Sequence, residues 1–262
     1  MKFTALMPIH EATEINCLKK AVKSVLYSKI TPDEFLMIID GKISLKKKNF
    51  LLKIKKENKT VSIIFKKKIG LVNILNQGLK LAKHNVVARV DSDDINHNLR
   101  FKKQINIFKK NNVDILGSNV LEIIGRKKVL RSMPSEPNLF HFLFYNPLNH
   151  MTIMYNRKKI LALGGYPKVK FKEDYALWIL AISKKYKIKN LKEPLVSCNI
   201  NIKTFARRKS YQSILSEFLI FKLIVSKNIF LLPFCFITLI LRVLFLLVPT
   251  PIYLFVKNRI TG

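Results

Sequence analysis

Short apolar runs alternate with amphipathic stretches through the first two thirds of the chain. Phe3 to Ile9 reads as a buried strand, and Leu18 to Leu26 as a helix with apolar residues at 18, 21, 22, 25 and 26. The stretch PDEFLMIID predicts a turn and a second strand ending at Asp40, with Gly41 just beyond it. Thr60 to Phe65 predicts a third strand, and GLVNILNQGLKLAKH a helix whose stripe is Leu71, Ile74, Leu75, Leu79 and Ala82. Val86 to Val90 is a fourth strand, followed by a helix over 99–111, a strand and return strand in DILGSNVLEIIG and KKVLRSM, a strand at 151–154 and a helix from Tyr175 to Ile182. Strands alternating with helices of this length indicate βαβ units and a mostly parallel sheet flanked by helices.

The pattern changes in the last third. From Ile229 to Val256 the chain is almost wholly apolar, interrupted by Arg242 and by Pro233, Pro249 and Pro251. About 20 such residues suffice to span a bilayer. An arginine at the centre of a span costs roughly 2.5–3.5 kcal/mol, however. Basic residues flank both ends: Lys203, Arg207, Arg208, Lys209, Lys222 and Lys227 before the run, Lys257 and Arg259 after it. Both flanks therefore favour one anionic surface, and the expectation is a monotopic or re-entrant segment broken near Arg242 or Pro249. A true span and burial against the rest of the protein are the alternatives. The division expected is a catalytic domain over 1–202 and a basic, hydrophobic membrane-associated region over 203–262.

Charge adds little discrimination. Lys and Arg number 48 against 16 acidic residues, a formal net charge of +32. Lysines are spread through nearly every element, and such a surface attracts nucleic acid, nucleotide phosphates or an acidic leaflet alike. The three cysteines, at 17, 198 and 235, have neither metal-ligand spacing nor a disulfide framework, which points to a reduced compartment. The N-terminal apolar run is too short for a signal peptide, so catalysis is expected in the cytoplasm.

Against this positive background, Asp91, Asp93 and Asp94 stand together at the C-terminal end of the fourth strand. In an open α/β sheet that edge is where ligands bind. Three like charges so close repel unless a cation or donors compensate, and a hard divalent ion with a diphosphate would do so. An acidic turn that caps the helix starting near Leu99 would look the same. Asp40 ends another strand in the same half of the chain, and if the two strands are neighbours or near neighbours their carboxylates face one crevice. Glu173-Asp174 precedes the apolar run YALWILAIS, where it could serve the helix dipole or present a proton-accepting carboxylate to the crevice. His150 could be a satisfied core residue, a metal ligand or a substrate contact. Gly164-Gly165 marks a turn that needs a permissive backbone.

The stretches MPIHEATEINCLKKAVKSVL, PDEFLMIIDG, GLVNILNQGLKLAKHNVVARVDSDDINHNLRFKKQ, NPLNHMTIMY and GGYPKVKFKEDYALW together resemble, in order and spacing, the family 2 glycosyltransferases of bacterial exopolysaccharide and lipopolysaccharide assembly. The resemblance covers about residues 3–195 and implies the GT-A (nucleotide-diphospho-sugar transferase) fold. It implies inverting transfer of a sugar, UDP-linked by expectation, to a hydroxyl of a lipid-linked or polysaccharide acceptor. It assigns Asp40 to the nucleobase, Asp91 and Asp93 to ribose, metal and diphosphate, and Asp174 to general base. Pro8, Glu11, Arg89 and Ser92 join the donor side, Asp93 is the ligand to Mg²⁺ or Mn²⁺, and His150, Glu173, Asp94 and Trp178 support the acceptor side. His10-Glu11 departs from the aromatic and polar pair usual in the family after the first strand. The implied location is the cytoplasmic face of the bacterial inner membrane, peripheral or monotopic, with no specific nucleic acid partner. A metal-dependent nucleotidyltransferase is the nearest alternative, but no early glycine-rich phosphate loop is present. A basic nucleic-acid-binding module would leave the acidic cluster and apolar tail without a role.

Overall fold

The computed structural model describes residues 1–110, 112–200 and 210–248. β1 (Phe3–His10) is buried along its length except at His10, and α1 (Ile15–Leu26) returns the chain to β2 (Glu34–Asp40), parallel to β1. Register runs from Thr4↔Glu34 to His10↔Asp40, so His10 and Asp40 end the two strands side by side. α2 (Leu45–Glu57) was not signalled by the apolar pattern: only Lys47 and Leu51 are buried, too narrow a stripe to read among its lysines. β3 (Val61–Lys66), α3 (Leu71–Leu81) and β4 (Val86–Arg89) complete a parallel block in which β1 is flanked by β2 and β4.

The second half departs from the mostly parallel sheet expected. After β5 (Ile95–Asn96) and α4 (Arg100–Lys110), β6 (Ile115–Ile124) turns at Gly125 into β7 (Lys127–Arg131), a short connection that joins only antiparallel strands. α5 (His141–Phe144) and a 3₁₀ turn at His150–Thr152 lead into β8 (Met154–Asn156), which runs antiparallel to both β4 and β6. The expected strand at 151–154 is thus mostly this turn. α6 (Arg157–Ala162), α7 (Glu173–Ser183) and β9 (Ile188–Asn199) follow, β9 parallel to β6 and antiparallel to β5. The result is one mixed nine-stranded sheet, ordered β3-β2-β1-β4-β8-β6-β9-β5 with β7 beside β6.

Alternate residues of β1 feed two cores: Leu6 joins the one built around α3 and α7, whereas Phe3, Ala5, Met7 and Ile9 join the one under α1 and α4. α8 (Tyr211–Lys227) packs Ile220 and Ile224 into the first of these cores. After a 3₁₀ turn at Ile229–Leu231, α9 (Leu232–Leu247) packs on α8 and α5. Within Ile229–Leu247, 18 consecutive residues have a mean hydropathy of 2.6, and 17% of those residues are buried.

Of the two expected break points, Arg242 or Pro249, the helix is not broken at Arg242. Its guanidinium is satisfied from within the protein, by Glu217 and by backbone carbonyls, so the i→i−4 ladder continues past it. The expected break at Pro249, and the charges at Lys203, Arg207, Arg208, Lys209, Lys257 and Arg259, lie outside the described residues.

Candidate functional site

The site begins where β4 ends. Leu6 pairs with Arg89 in the last rung between β1 and β4, and Val90 N–H donates to the Leu6 carbonyl at 3.0 Å. Beyond it the chain leaves the sheet as the acidic loop. Pro8, two residues past Leu6, faces the same edge, so its missing N–H breaks no rung there. Ser92 shares a hydroxyl–hydroxyl bond of 2.8 Å with Thr13, which ties the loop to the β1–α1 connection.

Asp91 is half-buried and ion-paired with the buried Arg89; Asp93 is exposed and Asp94 buried. One carboxylate oxygen from each of the three lies within 4.8 Å of the others. Desolvation and the Asp91 charge raise the Asp93 carboxyl above its ordinary range. Burial, Asp91 and Asp93 raise Asp94 well above it. This is the mark of crowded like charge that a cation would relieve. The acids do not cap α4: the Leu99 N–H donates to His97 Nδ1 at 3.3 Å.

Arg89 Nε and Nη1 have no hydrogen-bond partner among the described residues. The strand-end carbonyl of Arg89 accepts from Arg100 at 2.7 Å. Arg100 is fully buried and also donates to Asn96 and, at 3.1 Å, to Gln104; burial, then Arg89, pulls its guanidinium down to about 9. Arg100 therefore braces the loop from below.

At the neighbouring strand end, Asp40 accepts from Ile69 N–H at 2.7 Å and Gly70 N–H at 3.1 Å. It fastens the start of α3, where Gly70 sits at φ 85°. Glu11 accepts from Ser44 N–H at 3.0 Å and pairs with Lys47 at 3.3 Å, anchoring the start of α2. Both acids stand at or just beyond the C-terminal ends of β1 and β2 while holding helix starts.

A second pair of acids stands at the start of α7. Glu173 is buried, Asp174 is half-buried, and Asn146 Nδ2 donates to Asp174 Oδ2 at 2.8 Å. Donor atoms of His150, Glu173 and Asp174 converge within 4.8 Å, a second group that could hold a divalent ion. His150 Nε2 lies 3.0 Å from the Tyr166 hydroxyl. Burial, then Arg89, pushes His150 well below the usual histidine range, so the ring is neutral. Burial, then Tyr155, holds the Tyr166 hydroxyl well up, and it stays protonated.

Trp178, one turn into α7, is fully buried, with ring centroids 6.2 Å from His150 and 6.4 Å from Tyr166. It supports these side chains from beneath. The Gly164-Gly165 turn has its physical reason here. Gly165 has φ 77°, and a Cβ on it would lie 2.4 Å from Asn76 Oδ1, the atom that accepts from Tyr166 N–H at 2.7 Å.

Arg89 thus joins two carboxylate groups. It pairs with Asp91 on one side, and its charge acts on Tyr166 and His150 on the other. Sequence reading singled out neither Asn146 nor Tyr166, although both lie in the NPLNHMTIMY and GGYP stretches that carry the resemblance.

The model of the glycosyl transferase family 2 matches residues 4–215. Among curated proteins, the chain is 30% identical over 221 residues to the Escherichia coli UDP-Gal:alpha-D-GlcNAc-diphosphoundecaprenol beta-1,3-galactosyltransferase, covering 82% of this chain and 80% of that one. It is 28% identical over 225 residues to the Erwinia amylovora amylovoran biosynthesis glycosyltransferase AmsE, covering 84% and 85%. In fold it is similar to Staphylococcus aureus TarS 1–349, with a TM-score of 0.67 at 17% identity, over 87% of this chain and 66% of that one. With the family matched across both carboxylate groups and across the strand ends that carry them, the chain belongs to the family 2 glycosyltransferases.

Proposed function

We propose that this protein transfers a sugar, with inversion, from a nucleotide-diphosphate donor to a hydroxyl of a lipid-linked saccharide during assembly of a bacterial surface polysaccharide. The observation that carries the reading is a pair of carboxylate groups linked through the buried Arg89: Asp91, Asp93 and Asp94 at the end of β4, and, beside His150, an Asn146-held Asp174 at the start of α7. The GT-A-type fold assignment rests on the likeness to TarS and on the parallel block β3-β2-β1-β4.

The donor set of the acidic loop is all oxygen and electrostatically strained, which suits Mg²⁺ or Mn²⁺. Asp93, with Asp91, would hold the ion, which when bound supplies Lewis-acid neutralisation of the departing diphosphate. Ser92 and Arg89 complete the diphosphate and ribose side, while Asp40, Glu11 and Pro8 form the nucleobase end. Asp174 accepts the acceptor hydroxyl's proton as its oxygen attacks the anomeric carbon, and the Asn146 bond keeps that carboxylate oriented. Buried Glu173 and neutral His150 shape the acceptor wall. One base opposite one leaving group accounts for a single displacement with inversion.

The exposed apolar face of α9 and the basic surface support attachment at the cytoplasmic face of the inner membrane, peripheral or monotopic. No role in binding a specific nucleic acid is assigned. The catalytic region is taken as 1–202 and the membrane-associated region as 203–262.

The test is transfer from UDP-galactose, and from a panel of other nucleotide-diphosphate sugars, to a synthetic GlcNAc-diphosphate lipid. Asp174→Asn should keep donor binding and lose ~10²–10⁴-fold in kcat, the scale of a positioned proton acceptor. NMR of the product should show the inverted anomer. Normal turnover by that variant, or a retained anomer, overturns the mechanism.

A further inference from the structure

An arginine inside an apolar helix needs an explanation, and Arg242 has one within the protein. Its Nη2 donates to the carbonyls of Phe142, at 3.2 Å, and of Leu143, both in α5, and to the hydroxyl of Tyr175 in α7. Its Nη1 lies 3.5 Å from the buried Glu217 carboxylate of α8, and the guanidinium sits 5.2 Å from the centre of the Tyr175 ring. Glu217 is paired on its other oxygen with Lys172 at 2.9 Å, and Lys172 is the residue on which α7 begins. Tyr175 in turn donates to the Phe142 carbonyl.

One guanidinium therefore grips two segments. Tyr175 follows Asp174 directly, and Leu143 precedes Asn146 by three residues. Asn146 and Asp174 are the donor and acceptor of the 2.8 Å bond that orients the proposed base. A planar guanidinium holds its donors in a rigid fork and so fixes the segments it bridges, whereas an ammonium is a compact charge whose three donors rotate.

We infer that Arg242 is a positioning residue: from the apolar helix α9 it clamps α5 to the first turn of α7 and so fixes the Asn146–Asp174 pair. This rests on the reading of Asp174 as base. The apolar helix then contributes to catalytic geometry as well as to location. A small misplacement of a catalytic group by a distant change can cost ~10²-fold.

The full chain is tested in detergent or nanodiscs, with the donor and acceptor probes on which wild type turns over. Arg242→Gln should lower kcat ~10–100-fold with donor KM within about twofold, and should speed amide hydrogen exchange at residues 173–176. Arg242→Lys keeps the Glu217 pair without the fork and should recover part of the loss. Leu239→Ala, buried on the same helix but outside the clamp, should leave kcat unchanged. Tyr175→Phe decides the matter if Arg242→Gln does not fold, with a smaller loss in the same direction. Equal losses in Leu239→Ala and Arg242→Gln, or unchanged exchange at 173–176 in Arg242→Gln, overturn the clamp. An inactive Asp174→Asn beside a fully active Arg242→Gln overturns it too and leaves the base assigned. If Asp174→Asn is fully active the base reading fails, and the exchange rates alone decide the clamp.

Discussion

Arg89 is a buried cation whose charge reaches both the acidic loop and His150, and its neighbours respond to it differently. Asp91 is held by a direct ion pair, whereas Asp93 and Asp94 are left crowded, with carboxyls raised by burial and like charge. Without divalent metal, Asp93→Asn should therefore be at least as stable as wild type, because one repelling charge is gone. Millimolar Mn²⁺ or Mg²⁺ should raise the Tm of wild type, by mass action on the folded state, and leave the variant unmoved. A metal-dependent rise of equal size in both would move the ion away from Asp93. His150 gives a pH dependence of definite sign. Its folded pKa is depressed by burial, so below the ordinary histidine value of about 6.5 the unfolded chain takes a proton that the folded chain refuses. Its contribution to stability is present above about pH 6.5 and is lost as pH falls toward the folded value. Melting curves between about pH 5 and 7 should show a slope that His150→Gln flattens, and parallel curves for the two proteins would place the slope in another group.

At the scale of elements, the close contact of α3 with β1 sets one effect against another. Alanine is favoured over glycine in a helix by about 1 kcal/mol. A Cβ on Gly78, however, would lie 2.5 Å from Leu6 Cδ1, and Leu6 is fully buried in the core. Overpacking of that kind costs roughly 1–3 kcal/mol. Gly78→Ala should lower stability in denaturant titration, and a gain would show that Leu6 finds another rotamer without strain. Such contacts explain what was legible beforehand. β1, β2 and β4 are buried on both faces and read as unbroken apolar runs; α1 and α3 carry wide stripes. β9 did not read, because its lysines and Glu193-Pro194 break the alternation and its register with β6 shifts near Asn119. Strand direction in the second half depends on pairings far apart in sequence, such as Val87 with Tyr155, which local periodicity does not encode. The acidic loop stood out by local charge density, whereas Asn146 is a neutral amide whose partner lies 28 residues away. Arg242 was visible as an anomaly and stood, with Pro249, as one of two expected break points, since only the folded chain supplies its acceptors.

For the whole molecule, the question is whether a protein of net charge +32 with an exposed apolar helix binds a membrane through that helix. Phe230 is 85% exposed and Phe236 57% exposed. Burying both in acyl chains is worth about 3 kcal/mol, or ~10²-fold in partition. Electrostatic attraction of the basic surface to anionic lipid adds to this and fades with salt, because the Debye length shortens. Replacing Phe230 and Phe236 with Glu should cut binding to phosphatidylglycerol-containing vesicles ~10²-fold, and what binding remains should vanish in high salt. The double variant keeps Arg242 and its partners, so turnover on a water-soluble acceptor analogue should persist. Arg242→Gln should show the reverse: vesicle flotation retained, turnover lowered ~10–100-fold on soluble and lipid-linked acceptors alike. If the double Glu variant still floats with wild-type affinity, α9 is not the membrane-contacting element. Its apolar face would then be covered by another protein surface.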